Sequence, residues 1–237
     1  MHLLLMLCVL GACSSDPKVD GEPFGPVGSV EPDEGGLRFG FPLAQPELIV
    51  SAAIGVDHDP VAQEGVLASV LCTNYAGEAF PYCYDQHDGS DFLLIDGFTT
   101  MDAGSVEVLA AADGVVTSVE QDQYDRCHIA GTGVSCDGYD MIANHVILEH
   151  SDGTVSKYWH LMKQSVVVEV GDEVRCGDVL AKVGSSGISS GPHLHFETQS
   201  ADGISFDPYA GEYSQEQSWW AEQRTLNELP GPGCTAD

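Results

Sequence analysis

From about Leu37 onward the chain reads as short apolar runs separated by Gly, Asp and Asn. The clearest runs are residues 114–119, 145–148, 154–161 and 179–183, all of strand length and bounded by turn residues, and they predict β-strands. Residues 214–229 break the pattern. Ser214 can cap a helix there, Trp219, Ala221, Leu226 and Leu229 supply apolar positions, and Pro230-Gly231 stops it, which predicts a short C-terminal helix. The expected class is mainly β, with no internal repeat of fixed period.

The start of the chain follows a different rule. Leu3, Leu4, Leu5, Met6, Leu7, Val9 and Leu10 form an apolar run too short to span a bilayer, the pattern of a signal peptide over residues 1–12. The run ends in Leu10-Gly11-Ala12-Cys13, which resembles the lipobox of bacterial lipoproteins. The resemblance implies that Cys13 becomes acylated and N-terminal, placing the protein outside the cytoplasm with a lipid anchor in a bacterial membrane, in the periplasm or on the inner face of an outer membrane. An ordinary secretory signal cut near the same place is the alternative. Residues 13–36 are rich in Gly, Pro, Asp and Glu and read as a tether. Residues 37–210 are then the folded domain, and 211–237 the helix and tail.

Composition narrows the partners. Thirty-seven Asp and Glu against eight Lys and Arg give a formal net charge of -29, so the phosphate-neutralising surface of a nucleic-acid-binding protein is missing. With 43% hydrophobic and 19% charged residues, wholesale disorder is excluded as well. The 237 residues suit one domain with appendages. Export makes disulfides the expected state of Cys72, Cys83, Cys127, Cys136, Cys176 and Cys234. Six cysteines allow 15 pairings. Proximity favours Cys72 with Cys83 and Cys127 with Cys136, leaving Cys176 for Cys234. A structural zinc site is the competing reading, and no CxxC pair supports it.

Chemistry concentrates in the histidines. In Gly191-Pro192-His193-Leu194-His195-Phe196-Glu197 a strand would project His193 and His195 from one face and Leu194 and Phe196 into the core. Upstream, His87-Asp88-Gly89-Ser90-Asp91 offers an imidazole and a carboxylate, both good zinc ligands; two His and one Asp leave a fourth tetrahedral position for water. Tyr158-Trp159-His160-Leu161 adds another histidine. Taken singly, each segment is equally a surface pair, a solvated loop or a core histidine.

Along the chain His87-x-x-x-Asp91 comes first, then Tyr158-x-His160-Leu161, then a glycine-rich turn before His193-Leu194-His195, and in that order the three segments resemble the lysostaphin-type (LytM) zinc endopeptidases of bacterial cell walls. The likeness extends to Ala111-Ala112-Asp113-Gly114-Val115-Val116, Asn144-His145-Val146-Ile147-Leu148-Glu149-His150, Gly184-Ser185-Ser186-Gly187 and Asp207-Pro208-Tyr209. It implies an antiparallel β-sheet domain of the duplicated-hybrid-motif type and one Zn2+ held by His87, Asp91 and His195. His160 and His193 become the catalytic pair, and the substrate a peptidoglycan peptide. The glutamate-base HExxH pattern is absent. Glu197 is expected to support a ligand histidine, while His128, His145 and His150 are expected to be structural. Residues 184–191 are Gly-rich, but neither a following Lys nor a helix pattern marks a phosphate loop. A tight connection to His193 and His195 is the simpler reading. Residues 171–183 resemble the hairpin of biotinyl and lipoyl carriers, yet Lys182 falls within a strand-like run. The alternative function is a non-hydrolytic regulator or wall-binding module that activates another hydrolase.

Overall fold

The structure is a computed structural model and describes residues 28–61, 71–131 and 133–233. The expected signal peptide, Cys13 and Cys234 lie outside the described residues. Strand β1 (Ser90–Leu93) leads into a six-residue helix, α1 (Phe98–Ala103), then β2 (Glu107–Leu109) and β3 (Gly114–Glu120). The hairpin of β4 (His128–Ala130) and β5 (Gly133–Ser135) precedes β6 (His145–Glu149), β7 (Val155–Trp159), β8 (Glu173–Val174) and β9 (Val179–Lys182). β10 (His193–Gln199) and β11 (Ser205–Phe206) follow. Among the described residues the main sheet has the order β1-β10-β7-β6-β3-β8, with β11 paired to the end of β10. Its ladders are antiparallel throughout. β2 and β9 form a second small sheet. The four expected strands correspond to β3, β6, β7 and β9.

β10 is flanked by β1 and β7 in the main sheet, and its first six residues are buried. Leu194 and Phe196 join the apolar core, which leaves His193, His195 and Glu197 for the opposite face. The core is held by an aromatic cluster. Phe39 packs on Phe196, Trp219 and Trp220, and Trp220 also meets Phe92 and Phe196.

That cluster explains why the expected C-terminal helix does not form. Residues 214–229 run as bends and turns. Trp219 and Trp220 are adjacent and both buried; Trp219 stacks on Phe39 and packs against Phe206, and Trp220 packs against Phe92, Phe196 and Tyr209. The Phe39 N–H donates to Trp219 O at 2.7 Å and the Ala221 N–H to Phe39 O at 2.8 Å, so the backbone here is committed to another segment. Helix propensity differs by under about 0.7 kcal/mol per ordinary residue, whereas truncating one buried Trp costs about 3–5 kcal/mol. Tertiary packing wins.

Within the stretch read as a tether, Gly28, Val30 and Glu31 bond to the domain. The Gly28 N–H donates to Ser205 O, the Trp219 indole N–H to Val30 O, and the Glu31 carboxylate accepts the N–H groups of Glu216 and Gln217. Disulfides join Cys72 to Cys83 and Cys127 to Cys136, as proximity suggested. Cys176 is also disulfide-bonded.

Candidate metal centre

His87 stands one residue after Gln86, whose φ of 61° turns the chain sharply. The turn is held by buried Asp57, which accepts the backbone N–H groups of Gln86, Asp59 and Thr73. The His87 Nδ1–H donates to Gly55 O at 2.7 Å, so Nε2 keeps its lone pair for a ligand. Asp91 is the second residue of β1 and pairs directly with His195 of β10. Both are buried, as is His87.

Three donor atoms converge. His87 Nε2 lies 3.1 Å from Asp91 Oδ1 and 3.2 Å from His195 Nδ1, and the third side, Asp91 Oδ1 to His195 Nδ1, is 3.0 Å. Atoms about 2.0–2.1 Å from a tetrahedral zinc stand about 3.3 Å apart, so the triangle has nearly the size zinc requires. The donor set, two imidazoles and a carboxylate, is also that of a catalytic zinc site with an open position. Burial opposes charge on Asp91, yet the imidazoles of His87 and His193 and hydrogen bonds from His193 and His195 hold its carboxyl well below the usual range. A carboxylate kept ionised in a buried site is ready to bind a cation.

His160 and His193 flank the triangle. His160 ends β7 in the left-handed region, φ 64°, and its Nδ1–H donates to Ser186 O at 2.6 Å. The His193 Nδ1–H donates to Gly191 O at 2.7 Å, and its Nε2 lies 3.5 Å from Asp91 Oδ1. The two rings are 4.5 Å apart, centre to centre. Both carbonyls belong to residues 184–191, the tight connection expected from their glycines. A Cβ on Gly184 would meet the backbone of Leu161 and Met162 at 2.4–2.6 Å, so only glycine lets this segment close on the end of β7. The β4–β5 hairpin braces it from the other side: the Cys127 N–H donates to Ser185 O, the Ser185 hydroxyl to Cys127 O and the Ile129 N–H to Ser190 O. Burial, then the neighbouring His193 and His195, push His160 well below the ordinary histidine range. For His193 burial works downward too, but the charge and hydrogen bond of Asp91 outweigh it and the net direction is up.

The five histidine and aspartate positions singled out in the sequence are thus brought together. His128, His145 and His150 stay outside the triangle: His145 bonds Ser118, His150 bonds Asp113 O and Ser156, and His128 bonds Arg126 O. Lys182 sits inside β9, not at a turn tip. Glu197 lies beside His195, its Oε1 accepting from Lys157, Gln199 and Ser205. Three contributors carry no motif and were not visible in the sequence. Gly55 gives a carbonyl, Tyr84 stacks on His87 at 4.2 Å with its hydroxyl 3.5 Å from Asp91 Oδ2, and Asp88 places Oδ1 3.6 Å from His195 Nε2.

A family model described as Peptidase family M23 matches residues 86–208. The chain is 29% identical over 132 residues to the Peptidoglycan DD-endopeptidase ShyC of Vibrio cholerae, covering 56% of this chain and 24% of that protein. It is 43% identical over 60 residues to the Murein hydrolase activator EnvC of Escherichia coli, 25% of this chain and 13% of that one. Among solved structures it resembles the catalytic domain of lysostaphin from Staphylococcus simulans, with 26% identity, a TM-score of 0.36 and coverage of 52% and 77% of the two chains. The match thus spans a quarter or less of each curated relative named.

Proposed function

The chain belongs to peptidase family M23, and we propose that it is a zinc-dependent endopeptidase that hydrolyses peptide bonds in peptidoglycan. The observation that carries this reading is the triangle of His87 Nε2, Asp91 Oδ1 and His195 Nδ1 with the His160–His193 pair beside it. His87, Asp91 and His195 would hold the zinc. Bound there, zinc supplies Lewis acidity that polarises a carbonyl and makes water acidic near neutral pH.

The remaining work falls to groups of this chain. His160 and His193 each have Nδ1–H tied to a backbone carbonyl, so in the neutral form each offers an Nε2 lone pair of fixed direction. One imidazole accepts the proton of the attacking water and returns it to the leaving amine. The other, when protonated, donates to the oxygen that gains charge on the scissile carbonyl. Because both are anchored to residues 184–191, their spacing does not have to be set anew for each turnover.

The test is digestion of purified muropeptides by the protein with and without a chelator, alongside metal analysis. Zinc near one per chain, shortened cross-linked dimers, and loss of both with His87→Ala are expected; a metal-free, inert protein would overturn the reading. The similarity to a protein named a murein hydrolase activator supports a second reading, a wall-associated module that stimulates a separate hydrolase. Zinc binding without product, together with stimulation of another enzyme, would favour it. Either function acts outside the cytoplasm, and the lipobox-like Leu10-Gly11-Ala12-Cys13 supports an anchor on lipidated Cys13; Cys13→Ser should then move the protein from the membrane to the soluble fraction. Among the described residues no helix is long and apolar enough to cross a membrane.

A further inference from the structure

When His195 gives its Nδ1, which points into the triangle, to a metal, the ring proton of the neutral imidazole is on Nε2 and needs an acceptor. His87 solves the same problem with a backbone carbonyl. At the Nε2 edge of His195 the structure has a carboxylate, Asp88 Oδ1, at 3.6 Å, with both side chains largely shielded from water. Gly89 makes that approach. A Cβ there would lie 2.6 Å from His195 Cε1 and Nε2 and 2.8 Å from Phe196 O, so the backbone just before β1 passes against the imidazole and carries Asp88 to its edge. Glu197, two residues along the same face of β10, is the other carboxylate nearby. Its Oε1 already accepts from Lys157, Gln199 and Ser205, and the Lys157 charge balances it.

We propose that Asp88 is a positioning residue for the metal centre: its carboxylate, facing His195 Nε2 at 3.6 Å, attracts the Nε2–H, favours the tautomer that presents Nδ1, and makes His195 a more basic ligand. A carboxylate behind a ligand imidazole strengthens metal binding, and removing such a partner lowers affinity about 10- to 100-fold. The role rests on the zinc reading above. It differs from that of the ligands, because Asp88 touches neither the metal nor the substrate.

Zinc affinity of the whole exported chain, measured by competition with a chromogenic chelator, tests it directly. Asp88→Ala should weaken zinc about 10- to 100-fold, while Asp88→Asn, which keeps an acceptor oxygen, should recover most of the loss. Imidazole nitrogen NMR of the zinc-loaded protein should show His195 protonated at Nε2. A melting curve of each metal-free variant separates misfolding from loss of orientation. Wild-type zinc affinity in a folded Asp88→Ala protein would overturn the proposal and leave the endopeptidase reading standing. A second zinc bound by wild type and lost with Asp88→Ala would make Asp88 a ligand, which also overturns it. A wild-type chain that binds no zinc would remove both readings.

Discussion

Asp91 and His195 stand directly opposite each other in the β1–β10 ladder, and this register alone carries Asp91 Oδ1 to 3.0 Å from His195 Nδ1. Opposed residues of an antiparallel pair share a face with their Cβ atoms about 4.5–5.5 Å apart. Two of the three candidate ligands are therefore placed by backbone hydrogen bonding, and a slip of one residue would turn one away from the other. Only His87 comes from outside the sheet, and Gly55 fixes its ring.

Gly89→Ala should disable the centre without unfolding the domain. The new Cβ would fall 2.6 Å from the His195 ring, closer than carbon and nitrogen tolerate, and the imidazole must leave the triangle. Zinc affinity and muropeptide hydrolysis should drop together, with far-ultraviolet circular dichroism unchanged.

His160→Asn should separate catalysis from metal binding. Asparagine tolerates the left-handed backbone that His160 adopts, and His160 is not in the ligand triangle. Hydrolysis should fall about 100- to 10,000-fold, the range for loss of a general acid–base group, while zinc content stays near wild type. Loss of zinc in this variant would show that His160 acts as a ligand.

Replacing Cys127 and Cys136 together by Ser should lower stability by about 2–3 kcal/mol, the entropy of a loop closed over nine residues, read from the urea midpoint. Activity should fall further than stability alone requires, because the hairpin holds Ser185 and Ser190 and that segment carries the carbonyls that anchor His160 and His193. The comparison is made at a urea-free temperature where both proteins are folded.

Mild acid should weaken the fold through His145 and His150. Burial leads in depressing both His145 and His150 below the ordinary histidine value. The unfolded chain takes up their protons near pH 6.5 while the folded one resists, so the unfolded state binds more protons and stability falls as pH drops below about 6.5. Each site contributes at most about 1.4 kcal/mol per pH unit. Urea midpoints at pH 7.5 and 5.5 should differ less in His150→Gln than in wild type; an equal difference would refute the assignment to His150.

The histidine-bearing segments were legible because their chemistry is local. His193 and His195 at spacing two required only a strand, and β10 supplied it. Residues 87–91 read as a loop because Gly, Ser and Asp dominate them; the segment beginning at Ser90 is instead a strand whose Asp91 pairs with both His195 and Ile54, which no local pattern announces. The helix expected over residues 214–229 had a plausible cap and stop. It was overridden by Phe39, far away in sequence, which claims Trp219 and Trp220. Gly55, Tyr84 and Asp88 carry no local signal for the same reason: a carbonyl, a phenol and a carboxylate acquire roles at the centre only once the fold aims them.

The carbonyl of Gly55 sets a limit on portability. Residues 86–208, the span matched by the family model, hold all five histidine and aspartate positions of the centre. Yet the acceptor of the His87 proton, the Asp57 carboxylate behind Gln86, and the Phe39 and Trp219–Trp220 packing behind β10 all come from beyond that span. Grafted into another protein on its own, the span would bring every candidate ligand and leave behind the backing that aims His87, so the flanks and the centre work as one piece.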